Sequence, residues 1–337
     1  MKLRKAVVAR TTWRMRKFLY GLGIATVLLS TIFFVLPSML FWQQNGDTQP
    51  PFPVTVDPTK KTIKESPAVE AMFQKQHTPL VAAVASAGAF FERVALLIAA
   101  TPLYQSVAAV GDAPQIVTID PGVRKEQVVA KFAKVLGWNA NTQKQFLQLP
   151  PVSNEILTEG SIAPGNYAVS SDTSIGALQL EVAERFSDSV LSRYTKGVQE
   201  IVPLNDGLTM ASIIERETSD PDEMRIISGI IWNRTFVGMK LQMDSTLQYA
   251  KATGKGPWWP IVYPKDKYID SPYNTYQNAG LPPAPIANPS VAAVLAALNP
   301  KKTSCLFYFH DDDGNFHCSD TYEKHVAMLK KYYGQGK

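Results

Sequence analysis

Metal and redox chemistry have little to work with in this chain. Its 337 residues include two cysteines and four histidines, and neither set falls at a spacing that metal sites use. Acids are missing from the first 17 residues, where Lys2, Arg4, Lys5, Arg10, Arg14, Arg16 and Lys17 carry the only charges. Charge of either sign is then missing from Phe18 to Trp42, a run dominated by Leu, Ile, Val and Phe. Together these absences predict one transmembrane helix over 18–42, since a bilayer core needs roughly 20 apolar residues. Trp13, Tyr20 and Trp42 suit the two interfaces. A cleaved leader would have a shorter apolar core and small residues at its cleavage site, and the run lacks that pattern. The positive-inside rule places the basic tail 1–17 in the cytoplasm and everything after Gln43 on the periplasmic or extracytoplasmic face.

The formal charge of +5 is then a topology signal. Without the seven tail charges, 27 basic residues stand against 29 acidic ones, so the outer part offers no basic surface for nucleic acid. A second apolar run, Leu80 to Leu103, is interrupted by Glu92-Arg93. Such a pair is costly in mid-membrane, so the run reads as a packed amphipathic helix.

Cys305 and Cys318 flank a predicted β-hairpin whose turn is Asp311-Asp312-Asp313-Gly314. A register centred between Asp311 and Asp312 sets the cysteines opposite each other, which permits a disulfide in an oxidising compartment, and a one-residue shift separates them. His310, His317 and the aspartates read as parts of a turn, with no metal expected.

The fold class expected is α+β. Residues 43–114 read as a tether rich in Pro, Gln, Thr and Lys followed by the Ala-rich helical segment. Residues 115–200 hold a strand (Gln115–Ile119), a turn at Asp120-Pro121-Gly122, a helix from Lys125 to Leu136 and a connecting helix from about Ile175 to Tyr194. Residues 201–337 form the candidate catalytic domain.

Within that domain Glu217 is an acid where a helix should be apolar. Met210, Ile213, Ile214 and Glu217 fall at i, i+3, i+4 and i+7, the spacing of one buried stripe. Glu215 lies about 200° around the helix and is expected to face water. Asp220-Pro221 ends this helix and caps the next, with Glu223 completing a capping-box pattern. Glu217 therefore sits at the negative end of the helix dipole among aliphatic side chains, and both effects raise a carboxyl pKa. A carboxylic acid kept protonated near neutral pH is what general acid catalysis needs. A buried structural ion pair with Arg225 or Arg234 fits the same pattern.

The run Ser212-Ile213-Ile214-Glu215-Arg216-Glu217-Thr218 resembles the core motif of the endolytic murein transglycosylases, the YceG-like enzymes. Gly229-Ile230-Ile231-Trp232-Asn233-Arg234, Gly238 to Thr246, Ser271 to Tyr276, and Gly280 to Pro289 are similar to the family's later blocks in the same order, and the C-terminal hairpin with Ser319, Thr321 and His325 to its last. Ser245, Ala284 and Val326 depart from the family's common proline, glycine and asparagine. The stretch Lys255 to Lys267, with Trp258-Trp259, is longer and more aromatic than typical.

The resemblance implies non-hydrolytic cleavage of the MurNAc-β-1,4-GlcNAc bond within glycan strands, leaving 1,6-anhydroMurNAc ends, with Glu217 as catalytic residue and no cofactor. It also implies a LysM-like α/β module near residues 115–165. The partners implied are peptidoglycan glycan strands and the cytoplasmic membrane, with peptidoglycan synthesis enzymes as further candidates. Gln242, Asp244, Tyr273, Asn274, Tyr276 and Asn288 are the candidate substrate-binding residues. Helix capping is the competing role for Asp244 and Asn288. A catalytically silent wall-binding scaffold and a two-carboxylate muramidase are the competing functions, the second requiring Asp220, Asp222 or Asp244 as its other acid.

Overall fold

A computed structural model of the chain describes residues 49–76, 115–148, 157–252 and 254–334, with nine further residues scattered between 26 and 104. The crossing expected over 18–42 and most of the run 80–103 lie outside the described residues, and no described helix is long and apolar enough to cross a membrane. The chain divides into two compact units, one holding 1–48 and 76–116, the other 49–75 and 117–337. Everything below concerns the second unit.

Its described residues form an α+β assembly of helices with three two-stranded sheets. In chain order it contains β1 (Val56–Asp57), β2 (Thr62–Ile63), α1 (Pro67–Gln76), β3 (Gln115–Ile119), α2 (Lys125–Leu136), α3 (Ala140–Gln148), β4 (Gly165–Val169) and α4 (Ile175–Phe186). Then come α5 (Lys196–Ile201), α6 (Leu204–Glu217), α7 (Pro221–Phe236), α8 (Asp244–Lys251), α9 (Val291–Leu298), β5 (Phe307–His310), β6 (Phe316–Ser319) and α10 (Tyr322–Tyr333).

The main core is built on α6, α7 and α9. Met210, Ile213 and Ile214 of α6 are fully buried against Ile227 and Ile231 of α7 and Ala293, Val294 and Leu298 of α9. The octet VAAVLAAL of α9 is apolar on every side, which a short helix tolerates only when packed all round. Gly229 permits the crossing near α7, because a Cβ there would run into the carbonyl oxygen of Lys301.

The tether, read over residues 43–68, packs into the core from Phe52 onward, and so does the start of the segment that follows it. Phe52, Val56, Val69 and Phe73 are buried in the main core. Glu70 pairs with Arg225 (2.6 Å) and Lys301 (2.7 Å), and the hydrogen bonds from Arg225, with Lys301 behind them, hold its carboxyl down to about 2. Asn299 Nδ2 donates to the Pro53 carbonyl (2.7 Å). A segment with so few apolar residues reads as a linker unless their distant partners are known.

β3, α2, α3 and β4 form a small unit with its own core, where Phe132, Phe146 and Tyr167 pack together and Leu178 and Val182 of α4 close it. Asn288 pins this unit to the segment that leads into α9. Its Nδ2 donates to the Val123 carbonyl (3.0 Å) and to Glu159 (3.1 Å), and its Oδ1 accepts from Gly160 N and Ile162 N (3.0 Å each). Gly160 lies so close that a Cβ would sit 2.7 Å from Pro285.

Glu159 at this junction is 8% exposed. One carboxyl oxygen accepts from Lys125 N (2.9 Å), and the other is buried without a partner. Burial, reinforced by the charge of Glu126, pushes its carboxyl up to about 8. The folded chain thus holds a proton that the unfolded chain releases near the ordinary carboxylate range. Its stabilising contribution is fully present below that range and is lost as pH rises through about 8. The melting temperature of the parent should therefore fall between mildly acidic and alkaline buffers, while Glu159→Gln should flatten the decline and melt higher than the parent at alkaline pH. Identical pH profiles for parent and variant would refute this.

Candidate functional site

Glu217 is the last residue of α6, which ends because Thr218 turns to extended backbone (φ −154°, ψ 156°). Asp220 accepts from the amides of Asp222 and Glu223 and starts α7 with Pro221 at its head. The expected capping box is only half made. The Glu223 carboxylate accepts instead from Thr218 Oγ1 (2.7 Å) and lies 3.1 Å from His310 Nε2.

The Glu217 side chain is half-buried, and both carboxyl oxygens meet hydroxyl groups. Ser245 Oγ donates to Oε1 and the Tyr308 hydroxyl to Oε2, each at 2.7 Å. Removal from water raises the Glu217 pKa, and the charge of Asp244 adds to the rise. The two hydroxyl donors and the charge of Arg216 pull the other way. The Tyr308 phenol is itself pushed well above its ordinary range, first by burial and then by Glu217, so it remains a neutral donor. This balance suits a group that must give up a proton and later take one.

The ion-pair alternative is not made. Arg225 is taken by Glu70, and Arg234 donates to the carbonyls of Leu306 (2.6 Å) and Leu241. Glu215, expected to face water, is part-buried and accepts from Ser290 N (2.9 Å) and Oγ (2.5 Å) at the start of α9. The reason is that α9 packs along that side of α6.

The expected binding residues separate into two groups. Gln242 is exposed, with its backbone in the left-handed region at φ 52°, and its amide N–H donates to the Thr275 carbonyl (3.1 Å). Asp244 is exposed at the first turn of α8 and accepts from the Tyr276 hydroxyl (2.7 Å). It makes no side-chain cap, and α8 begins at Asp244 itself. Tyr273 is half-buried against Tyr249 (4.7 Å between rings).

Asn274 and Asn288 are fully buried. Asn274 Nδ2 donates to the Lys267 and Ile269 carbonyls, and Ser290, not Asn288, caps α9. These two amides hold loops together and do not reach an open surface.

Ser245 and Tyr308 were not singled out as functional. Ser245 was visible only as a departure from the family's proline, a residue with no hydroxyl to give. Tyr308 reaches Glu217 across 91 positions of sequence, a pairing no local pattern reveals. The hairpin carrying Tyr308 exists, but its register is not the one centred between Asp311 and Asp312 that would set the cysteines opposite each other. Tyr308 pairs with Cys318 and His310 with Phe316. This register arises because Asp311 N donates to the Asn315 carbonyl (3.0 Å) and Gly314 turns at φ 80°, making a five-residue loop. Cys305 and Cys318 are nonetheless joined in a disulfide, with Cα atoms 5.8 Å apart. His317 pairs with Asp311 (2.7 Å), and no group of three metal-ligating side chains gathers among the described residues. A cavity of about 370 Å³ lies near the other end of α6, lined by Leu157, Phe186, Leu204, Leu208 and Pro285, and holds none of these site residues.

The chain is similar to several known proteins. The endolytic murein transglycosylase of Bacillus subtilis (strain 168) is 32% identical over 216 residues, covering 62% of this chain and 58% of that protein. That of Streptococcus pneumoniae serotype 2 (strain D39 / NCTC 7466) is 29% identical over 208 residues, covering 61% of this chain and 36% of its own length. The chain thus spans well under two thirds of these curated relatives. A crystal structure of a yceG-like protein from Listeria monocytogenes superposes with a TM-score of 0.55 at 27% identity, over 63% of this chain and 75% of that one. The profile of the YceG-like family matches residues 91–331, and the chain belongs to that family.

Proposed function

We propose that the protein is a membrane-anchored endolytic peptidoglycan transglycosylase, held by residues 18–42 with its catalytic domain on the extracytoplasmic side. The observation that carries this reading is Glu217: a half-buried carboxyl with raised pKa, met by two hydroxyl donors. The family's relatives named endolytic murein transglycosylase support the substrate class. In this mechanism Glu217 protonates the glycosidic oxygen between N-acetylmuramic acid and N-acetylglucosamine. As carboxylate it then removes the proton from the muramoyl C6 hydroxyl as that oxygen attacks C1. Tyr308 and Ser245 hold the carboxylate in place and stabilise its charge between the two steps. The substrate brings its own nucleophile at high effective concentration, so one acid suffices.

Asp244 is close enough to influence the Glu217 charge, which keeps a two-carboxylate hydrolase as the second reading. Digestion of peptidoglycan in ¹⁸O-labelled water separates the two. Transglycosylation leaves anhydro ends with no label at C1, whereas hydrolysis leaves reducible ends carrying one labelled oxygen. Predominant labelling would overturn the mechanism and make Asp244 the next residue to test.

A further inference from the structure

The aromatic stretch around Trp258-Trp259 gathers two arginines beside the candidate acid. The Arg216 guanidinium lies 3.9 Å from the Trp259 ring, and that of Arg124 lies 4.6 Å from the same ring and 4.2 Å from Tyr249. Stacking of this kind orders a guanidinium while leaving its edge free to donate. Arg124 Nη2 donates to the Gln248 carbonyl (3.1 Å), and Arg216 Nη1 makes a long bond to the Gly122 carbonyl (3.4 Å).

Their remaining hydrogen-bonding capacity is underused. The Nε of each is buried and has no acceptor. Arg124 is 4% exposed, and among the described residues neither arginine is within ion-pair distance of a carboxylate. Both guanidinium groups lose hydration, which the charges of Glu159 and Glu126 near Arg124 and of Glu217 and Glu215 near Arg216 offset only in part, and guanidinium does not relieve this by losing its proton. Such a pair is stabilised by an anion with a planar, two-oxygen face. The Arg216 and Glu217 charges act on each other, so an anion bound at Arg216 would lie near the acid.

We propose that Arg216, backed by Trp259 and Arg124, is a carboxylate-recognition site that takes a free carboxylate of the peptide carried by the sugar next to the scissile bond. The proposal rests on the peptidoglycan reading above. It makes the enzyme selective for strands that still carry their acidic peptides.

The test uses the full-length protein in detergent on uncrosslinked glycan strands in three forms: peptides with free carboxylates, peptides with carboxylates amidated, and peptides removed. The parent should show a kcat/KM about tenfold or more higher on the free-carboxylate strands than on the other two, as expected for losing one charge-assisted bidentate contact. Arg216→Gln should lose that preference, its KM on the free-carboxylate strands rising to equal its own KM on the amidated ones. Trp259→Leu, which leaves both charges in place, should narrow the preference. Equal parent rates on all three strands overturn the site and leave the activity standing. So does an Arg216→Gln defect of equal size on all three, which would mark a structural stack. Absence of parent cleavage on every form would overturn the peptidoglycan reading itself.

Discussion

Glu217→Gln should fold like the parent and cleave glycan strands at least about 10²–10⁴ times more slowly, the usual cost of losing a general acid and base. The amide keeps an oxygen that can accept from Ser245 or Tyr308 but has no proton to give at any accessible pH. Counting anhydro ends by mass spectrometry, with a thermal melt alongside, separates lost chemistry from lost fold. The parent's rate should persist above the ordinary carboxylate range and fall as pH rises through the raised pKa of Glu217, because cleavage begins from the protonated acid. The residual rate of the variant should lack that limb. Near-parental activity in folded Glu217→Gln would remove Glu217 from the mechanism.

The second large effect is expected on stability. Asn288→Ala should destabilise the fold by about 3–5 kcal/mol, because it leaves two buried amides without an acceptor and weakens two further contacts. Gly160 N and Ile162 N lose their shared acceptor, and the Glu159 carboxyl and the Val123 carbonyl lose a donor. In a domain of this size that corresponds to roughly a 10 °C fall in Tm. The junction should also open to limited proteolysis near residues 157–163 before the main core unfolds. A melting temperature within about 2 °C of the parent would show that Asn288 is not the pin its contacts describe.

Legibility differed between elements for physical reasons. The helices carrying the acid were readable because α6 repeats its apolar positions at helical spacing and Asp220-Pro221 is a strong boundary. Helix α3 was not, because ANTQKQFLQ buries only Phe146. The hairpin strands showed in their alternation, but their register depends on how the Asp311 carboxylate gathers the Asp313 and Asn315 amides, a detail of loop geometry. At the site, a local pattern located the acid but not the groups that tune it. Tyr308, Ser245 and the Glu70–Arg225 pair act across 91, 28 and 155 positions. Asn274 and Asn288 looked like sugar ligands because an amide suits either a ligand or a buried backbone, and only burial tells the two apart.

Those separations also order events in time. As the chain is synthesised from its N-terminus, α6 is complete long before β5 exists, so the acid is made without its phenol partner. The strap from Phe52 to Phe73 waits longer still, since it closes against Asn299 and Lys301. Until Tyr308 and the elements around it arrive, Glu217 has neither its phenol partner nor its burial, and near neutral pH it has no proton to donate. Under the proposed function the protein is thereby inert as a fragment: truncation, arrested synthesis or incomplete folding leaves the acid unarmed.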